Sequence, residues 1–67
     1  MRDLHSYRAY LFNASDHIRA VSCFESVDAA AACEEADLML EQSGYASIEI
    51  YEEWRLIWRK TRERQAA

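Results

Sequence analysis

Ser26–Gly44 reads S-V-D-A-A-A-A-C-E-E-A-D-L-M-L-E-Q-S-G, and it is the one stretch of the chain with a clear helical pattern. The alanine run Ala29–Ala32 is its strongest helix-forming segment, because alanine loses no side-chain entropy in a helix. At about 100° per residue, Ala29, Ala32, Cys33, Ala36, Leu40 and Ser43 fall on one stripe. Glu34, Glu35, Glu41 and Gln42 face away from it. Ser26 is the expected N-cap, and Asp28 favours the positive end of the helix dipole. Gly44 sits where a left-handed C-cap ends a helix. The stripe is lined with small residues, which predicts a close approach to whatever it covers. Leu38 lies nearly opposite the stripe, either as an exposed leucine, which is common on protein surfaces, or as part of a second contact.

Both flanks of this helix read as hairpins. Before it, an alternating, aromatic-rich segment spans about Ser6 to Phe12. The polar turn Asn13-Ala14-Ser15-Asp16 follows, and Ile18 to Phe24 returns. After it, Ala46 to Tyr51 is a strand, and Leu56 to Arg59 is the last one. Glu52-Glu53 lacks the glycine that a two-residue hairpin prefers, which predicts a looser loop of about four residues including Trp54 and Arg55. The order is therefore ββαββ. The fold class is α+β: a four-stranded antiparallel sheet with one helix packed on one face. Spatial order 2-1-3-4 keeps all neighbours antiparallel and permits a right-handed crossover. An order with the last strand central stays open on pattern alone.

One helix covers one sheet face, yet the strands carry large apolar side chains on both. Tyr7, Ala9 and Leu11 alternate with Arg8, Tyr10 and Phe12. Ile18, Ala20, Ser22 and Phe24 alternate with Arg19, Val21 and Cys23. Ile48, Ile50 and Ile57 suit the helix side, which leaves Tyr51, Leu56 and Trp58 for the other. The face away from the helix is thus the expected interface, with Tyr10, Phe12, Tyr51, Leu56 and Trp58 as anchors and Trp54 at the rim. Parity in the first hairpin depends on loop length: one residue more or less exchanges its two faces.

The chain of 67 residues makes one small domain (1–67), with an ordered core over about 6–60 and a C-terminal tail, 61–67, that frays or forms a short helix. A domain this size buries only about 60% of its unfolded surface. Small domains compensate with disulfides, a metal or oligomerisation. Two cysteines and scattered histidines leave oligomerisation, so a homodimer is expected, with a protein hetero-partner as the second option. The 51% hydrophobic content argues against disorder. The N-terminal Met1-Arg2-Asp3-Leu4-His5-Ser6 has no apolar run, no segment has the length of a membrane span, and the two unmatched cysteines fit a reducing environment. A cytoplasmic location is the expectation. The net charge of −4 is uneven. Arg55, Arg59, Lys60, Arg62 and Arg64 against Glu63 give +4 at the C-terminal end, leaving three basic and eleven acidic residues, or −8, elsewhere. This asymmetry favours pairing in which a tail meets a helix.

Tyr7-Arg8-Ala9-Tyr10-Leu11-Phe12, His17-Ile18-Arg19-Ala20, Phe24, Asp28-Ala29-Ala30-Ala31, Ile48-Glu49-Ile50-Tyr51, Arg55-Leu56-Ile57 and Arg59 together set a pattern over about residues 7 to 60. This pattern resembles a group of short ββαββ proteins of uncharacterised function that is abundant in alphaproteobacterial genomes. The resemblance implies the architecture and brings no activity, cofactor or catalytic residue. The chain departs from the group where Glu53 stands in place of a hairpin glycine, near Asp16, where a glycine is frequent, and at Trp54 and Trp58, which replace smaller or polar residues.

No constellation points to catalysis, and no enzymatic role, cofactor or metal site is expected. Ser15-Asp16-His17 has the residue types of a hydrolase triad, but consecutive residues cannot adopt its geometry, so turn chemistry explains them. Glu34, Glu35, Asp37 and Glu41 read as a solvated helix face. Cys33 reads as a small core residue; if the helix covers the face of Ile18, Ala20 and Phe24, Cys23 lies on the opposite side of the sheet and the two cannot bridge. Aromatics on an open sheet beside arginines also describe single-stranded nucleic-acid readers. Tyr10, Tyr51 and Trp58 with Arg8, Arg55 and Arg59 form that alternative. The acidic balance and the lack of a Lys/Arg-Gly-Phe-like string count against it.

Overall fold

The computed structural model describes residues 3–62. It contains β1 (His5–Phe12), β2 (Ile18–Ser26), α1 (Ala29–Ser43), β3 (Ser47–Glu52) and β4 (Arg55–Thr61). The four strands form one antiparallel sheet in the order β2-β1-β3-β4, with α1 packed against one face. The expected fold class and strand order are both found. The last residues of the expected tail, 63–67, lie outside the described residues. Thr61, the first residue of that tail, continues β4 instead.

The core lies between the helix stripe and the two central strands. Tyr7, Ala9 and Leu11 of β1, Ile48 and Ile50 of β3, and Ala32, Ala36 and Leu40 of α1 are all buried. Ala9, Ala32 and Ala36 are fully buried, so close approach of helix to sheet is built from methyl groups on both sides. First-hairpin parity follows the expected assignment: Leu11 pairs with Ile48 and Ala9 with Ile50 on the helix side. Tyr7 stacks near Phe24 with ring centroids 5.8 Å apart and interplanar angle 30°.

Two local details differ from the sequence expectation. The N-cap is Asp28, not Ser26: its carboxylate accepts from the Ala31 backbone N–H at 2.8 Å. Ser26 is still in β2, buried and paired with His5, so the strand runs two residues further and hands capping to the carboxylate. The second hairpin turns through Glu53 and Trp54 alone, with Glu52 opposite Arg55. Glu53 takes φ +58°, a left-handed value that a Cβ disfavours. Asp16, in the first loop, takes φ +65°. That loop is held by Asn13, whose Oδ1 accepts from the Ser15 and His17 amides at 2.9 and 3.0 Å. Asp16 there is an aspartate of the kind that tolerates this conformation. Gly44 closes the helix at φ +80°.

The basic end meets the helix within the same chain. Lys60 Nζ pairs with Asp37 Oδ1, and Arg62 Nη2 donates to the Leu40 carbonyl oxygen in the last helical turn. The last turn of α1 has no basic residue of its own, so Arg62 supplies the cation that complements its negative end. The bond to Asp37 holds the Lys60 ammonium above its ordinary pKa.

Glu53→Gly is expected to raise stability by about 1 kcal/mol, since glycine adopts positive φ without steric cost. Asp28→Ala is expected to lower it by about 1 kcal/mol through loss of the cap. Urea denaturation followed by far-UV circular dichroism measures both.

Candidate functional site: the open sheet face

Two bulges decide which side chains reach the face away from α1. In β2, Leu11 pairs with Ala20 but Phe12 pairs with Ile18, so Arg19 is an extra residue. Ile18 therefore shares the Phe12 face instead of the face of Ala20, Ser22 and Phe24. In β4, Ile50 pairs with Trp58 and Tyr51 with Leu56, so Ile57 is extra. Ile57 and Trp58 both pack against the core. This corrects the sequence placement of Trp58, which strict alternation puts beside Tyr51. A bulge sets two residues of one strand against one of its neighbour and re-aims those that follow.

The open face is accordingly built from Tyr10 and Phe12 of β1, Ile18 and Val21 of β2, Tyr51 of β3 and Leu56 of β4. Of the expected anchors, the structure brings Tyr10, Phe12, Tyr51 and Leu56 to this face and removes Trp58. Trp54 stands at its rim on the hairpin tip, 83% exposed. Ile18, Val21 and Leu56 are among the exposed large hydrophobics, whereas Phe12, Tyr10 and Tyr51 are half-buried by their neighbours. A shallow groove of about 470 Å³ runs over this surface, bordered by Arg8, Ile18, Glu49 and Trp54 among others.

The centre of the face is ordered by polar contacts. Tyr10 and Tyr51 meet edge to face, with centroids 5.3 Å apart and an interplanar angle of 88°, a favoured aromatic geometry. Arg8 Nη1 donates to the Tyr10 hydroxyl at 3.2 Å. The Tyr51 hydroxyl donates to Glu49 Oε1 at 3.1 Å, and Arg59 Nε lies 3.6 Å from Glu49 Oε2. The bond to Glu49 is the main cause of the raised Tyr51 pKa, and the bond to Tyr10 is the main cause of the raised Arg8 pKa. Both rings are thus held by their hydroxyls as well as by each other. Glu49 was missed in the sequence reading, although alternation from Ile48 and Ile50 already places it here. Ile18 had no comparable signal, because nothing in the residue pattern announces the bulge.

The two cysteines lie on opposite sides of the sheet. Cys23 pairs with Arg8 on the open side and is exposed. Cys33 is on the helix, where burial pushes its thiol above the ordinary pKa. Ser15, Asp16 and His17 belong to the Asn13-centred turn. Among the described residues, no group of three or more His, Cys, Asp or Glu side chains is assembled to hold a metal ion, and no helix is long and apolar enough to cross a membrane.

No known family matches the chain, and neither a curated protein nor a solved structure resembles it at a significant level.

Alkylation at neutral pH is expected to modify Cys23 well before Cys33, as read by mass spectrometry over time. Tyr7 offers a test of the core on the helix side. Its hydroxyl is raised in pKa first by burial and then by Glu52. A raised folded pKa means that the folded state holds the proton longer, so this stability is complete below the unfolded value of about 10 and is lost as pH rises above it. Tyr7→Phe should therefore reduce the loss of melting temperature between pH 9 and about pH 11.

Proposed function

We propose that this chain is a non-enzymatic protein-association module whose open sheet face takes a protein surface, either a second copy or a different chain. The observation that carries this reading is the set of exposed or half-buried apolar side chains, Phe12, Ile18, Val21 and Leu56, around the Tyr10–Tyr51 pair on the side that α1 does not cover. Contiguous exposed apolar patches are uncommon on monomeric proteins and mark interaction sites. The composition supports the same reading. Tyr10 and Tyr51 anchor the centre, where Arg8 and Glu49 hold their hydroxyls, and aromatic and arginine side chains are enriched at protein interfaces.

Nucleic-acid binding draws less support. The sequence alternative relied on Trp58, which packs against the core. A carboxylate, Glu49, sits against Tyr51 where a base would stack, and it engages Arg59, one of the cations meant for phosphate. A site of that kind repels a polyanion at its centre. The resemblance to short ββαββ proteins remains part of the proposal. It draws support from Glu53 and Asp16, the two non-glycine residues with positive φ among the described residues, which lie where or near where that group frequently carries glycine.

Tyr51→Ala and Leu56→Asp should each weaken association at least tenfold in analytical ultracentrifugation while leaving the far-UV spectrum unchanged. Wild-type association in both variants would assign the interface elsewhere. A single-stranded oligonucleotide should give no fluorescence-polarisation shift even at low salt, and a shift there that vanishes at high salt would restore the nucleic-acid reading.

A further inference from the structure

We infer that β2 is a second, separate contact: an edge strand that pairs antiparallel with β2 of another copy about a two-fold axis at Ser22. The sheet order leaves β2 and β4 as edges, and an edge strand presents a row of backbone donors and acceptors that can pair with another chain. The two edges are built differently. β4 carries Arg55, Arg59 and Lys60 with no acidic residue, and it is bulged in its middle. Pairing β4 with a copy of itself brings like charges together on a kinked strand. β2 has no proline, no glycine and no lysine, and its bulge is confined to its first residues.

The charges of β2 choose both partner and register. Its only two charged residues are Arg19 and Glu25, placed symmetrically three positions either side of Ser22. A two-fold at Ser22 sets Arg19 opposite Glu25 of the second copy at both ends of the ladder. Between them, Val21 faces Cys23 and Ala20 faces Phe24, twice each, while Ser22 faces itself. Every opposed pair is complementary: opposite charges, small against large apolar groups, and two hydroxyls able to bond.

The faces agree as well. Glu25, Cys23 and Val21 pair with Ser6, Arg8 and Tyr10 on the open side, and Ala20, Ser22 and Phe24 pair with Leu11, Ala9 and Tyr7 on the helix side. Arg19, the extra residue of the bulge, stands with Ile18 opposite Phe12 and so joins the open-side set. Directly opposed residues share a face, so the pairing keeps both helices on one side of an eight-stranded sheet. Sliding by one residue sends the helices to opposite faces, and sliding by two leaves the charges unmatched. A heterologous β2–β4 contact has no such symmetry and leads to open chains of molecules rather than a closed pair. A second copy is therefore the occupant that the strand's own sequence specifies.

The contact is short, so it belongs to the weak class of interfaces and is best read at concentrations up to about 1 mM. It is separate from the open face, and charge exchange separates the two. Arg19→Glu and Glu25→Arg each place like charges at both ends and should each weaken self-association about tenfold or more in sedimentation equilibrium. Mixing the two variants places opposite charges at both ends again, so a heterodimer should form where neither variant pairs alone. In a Cys23→Ser background, Ser22→Cys should give an intermolecular disulfide under mild oxidation, because directly opposed Cα atoms sit about 4.5–5.5 Å apart, within bridging range.

A dimer that ignores both charge reversals but dissociates with Tyr51→Ala overturns the edge contact and leaves the open-face reading standing. A monomer throughout the concentration range, or failure of the mixed variants to pair, also overturns it. Edge pairing that persists in Tyr51→Ala supports it independently of what the open face binds.

Discussion

The contact between the alanine-lined stripe of α1 and the centre of the sheet sets the terms for everything else in this chain. Ala32 and Ala36 meet a floor made by Ala9, Ile48 and Ile50, with Leu40 filling the remaining space. Methyl-lined surfaces allow a close approach, and close approach removes apolar area from water without many large side chains. A single helix can cover only one face. Once it is committed, the opposite face and both edges are left with whatever the strands present there.

The surface left over is organised. Glu49 holds Tyr51 and engages Arg59, and Arg8 holds Tyr10, so the two central rings carry fixed partners. Fixing side chains before contact reduces the ordering cost of association. The two edges are also unlike: β4 is bulged and basic, whereas β2 is bulged only at its start and nearly neutral. The fold thus leaves one ordered face and one nearly neutral edge uncovered, and lines the other edge with positive charge.

The helix, the two hairpins and the alternating faces of the strands were legible because they rest on periodicity, and periodicity is written in single residues; the strand order found was favoured by crossover handedness and stayed open on pattern alone. Ala29–Ser43 needed nothing beyond it, whereas the Tyr7/Ala9/Leu11 set also needed the loop length that fixes its parity. What escaped was anything that depends on an interruption of period. The extra residues Arg19 and Ile57 shift everything beyond them, which exchanged Ile18 for Trp58 on the open face. Whether a strand bulges is decided by neighbouring strands and turns, not by its own composition. The tight second turn was hidden for a similar reason: Glu53 accepts a conformation that its side chain disfavours because β3 and β4 are already aligned around it. Likewise, pairing of Ser26 with His5 moved the helix cap to Asp28, a long-range effect that a local capping pattern cannot contain.

The withdrawal of Trp58 from the open face also gives the molecule two distinct indoles. Trp58 is half-buried against the helix-side core, while Trp54 stands in solvent at the hairpin tip beside the groove. Their emission spectra must differ, because indole fluorescence shifts to the red as water gains access to the ring. The blue component therefore reports the integrity of the fold, and the red component reports the surroundings of the hairpin tip at the rim of the open face. The two readings come from one unlabelled chain.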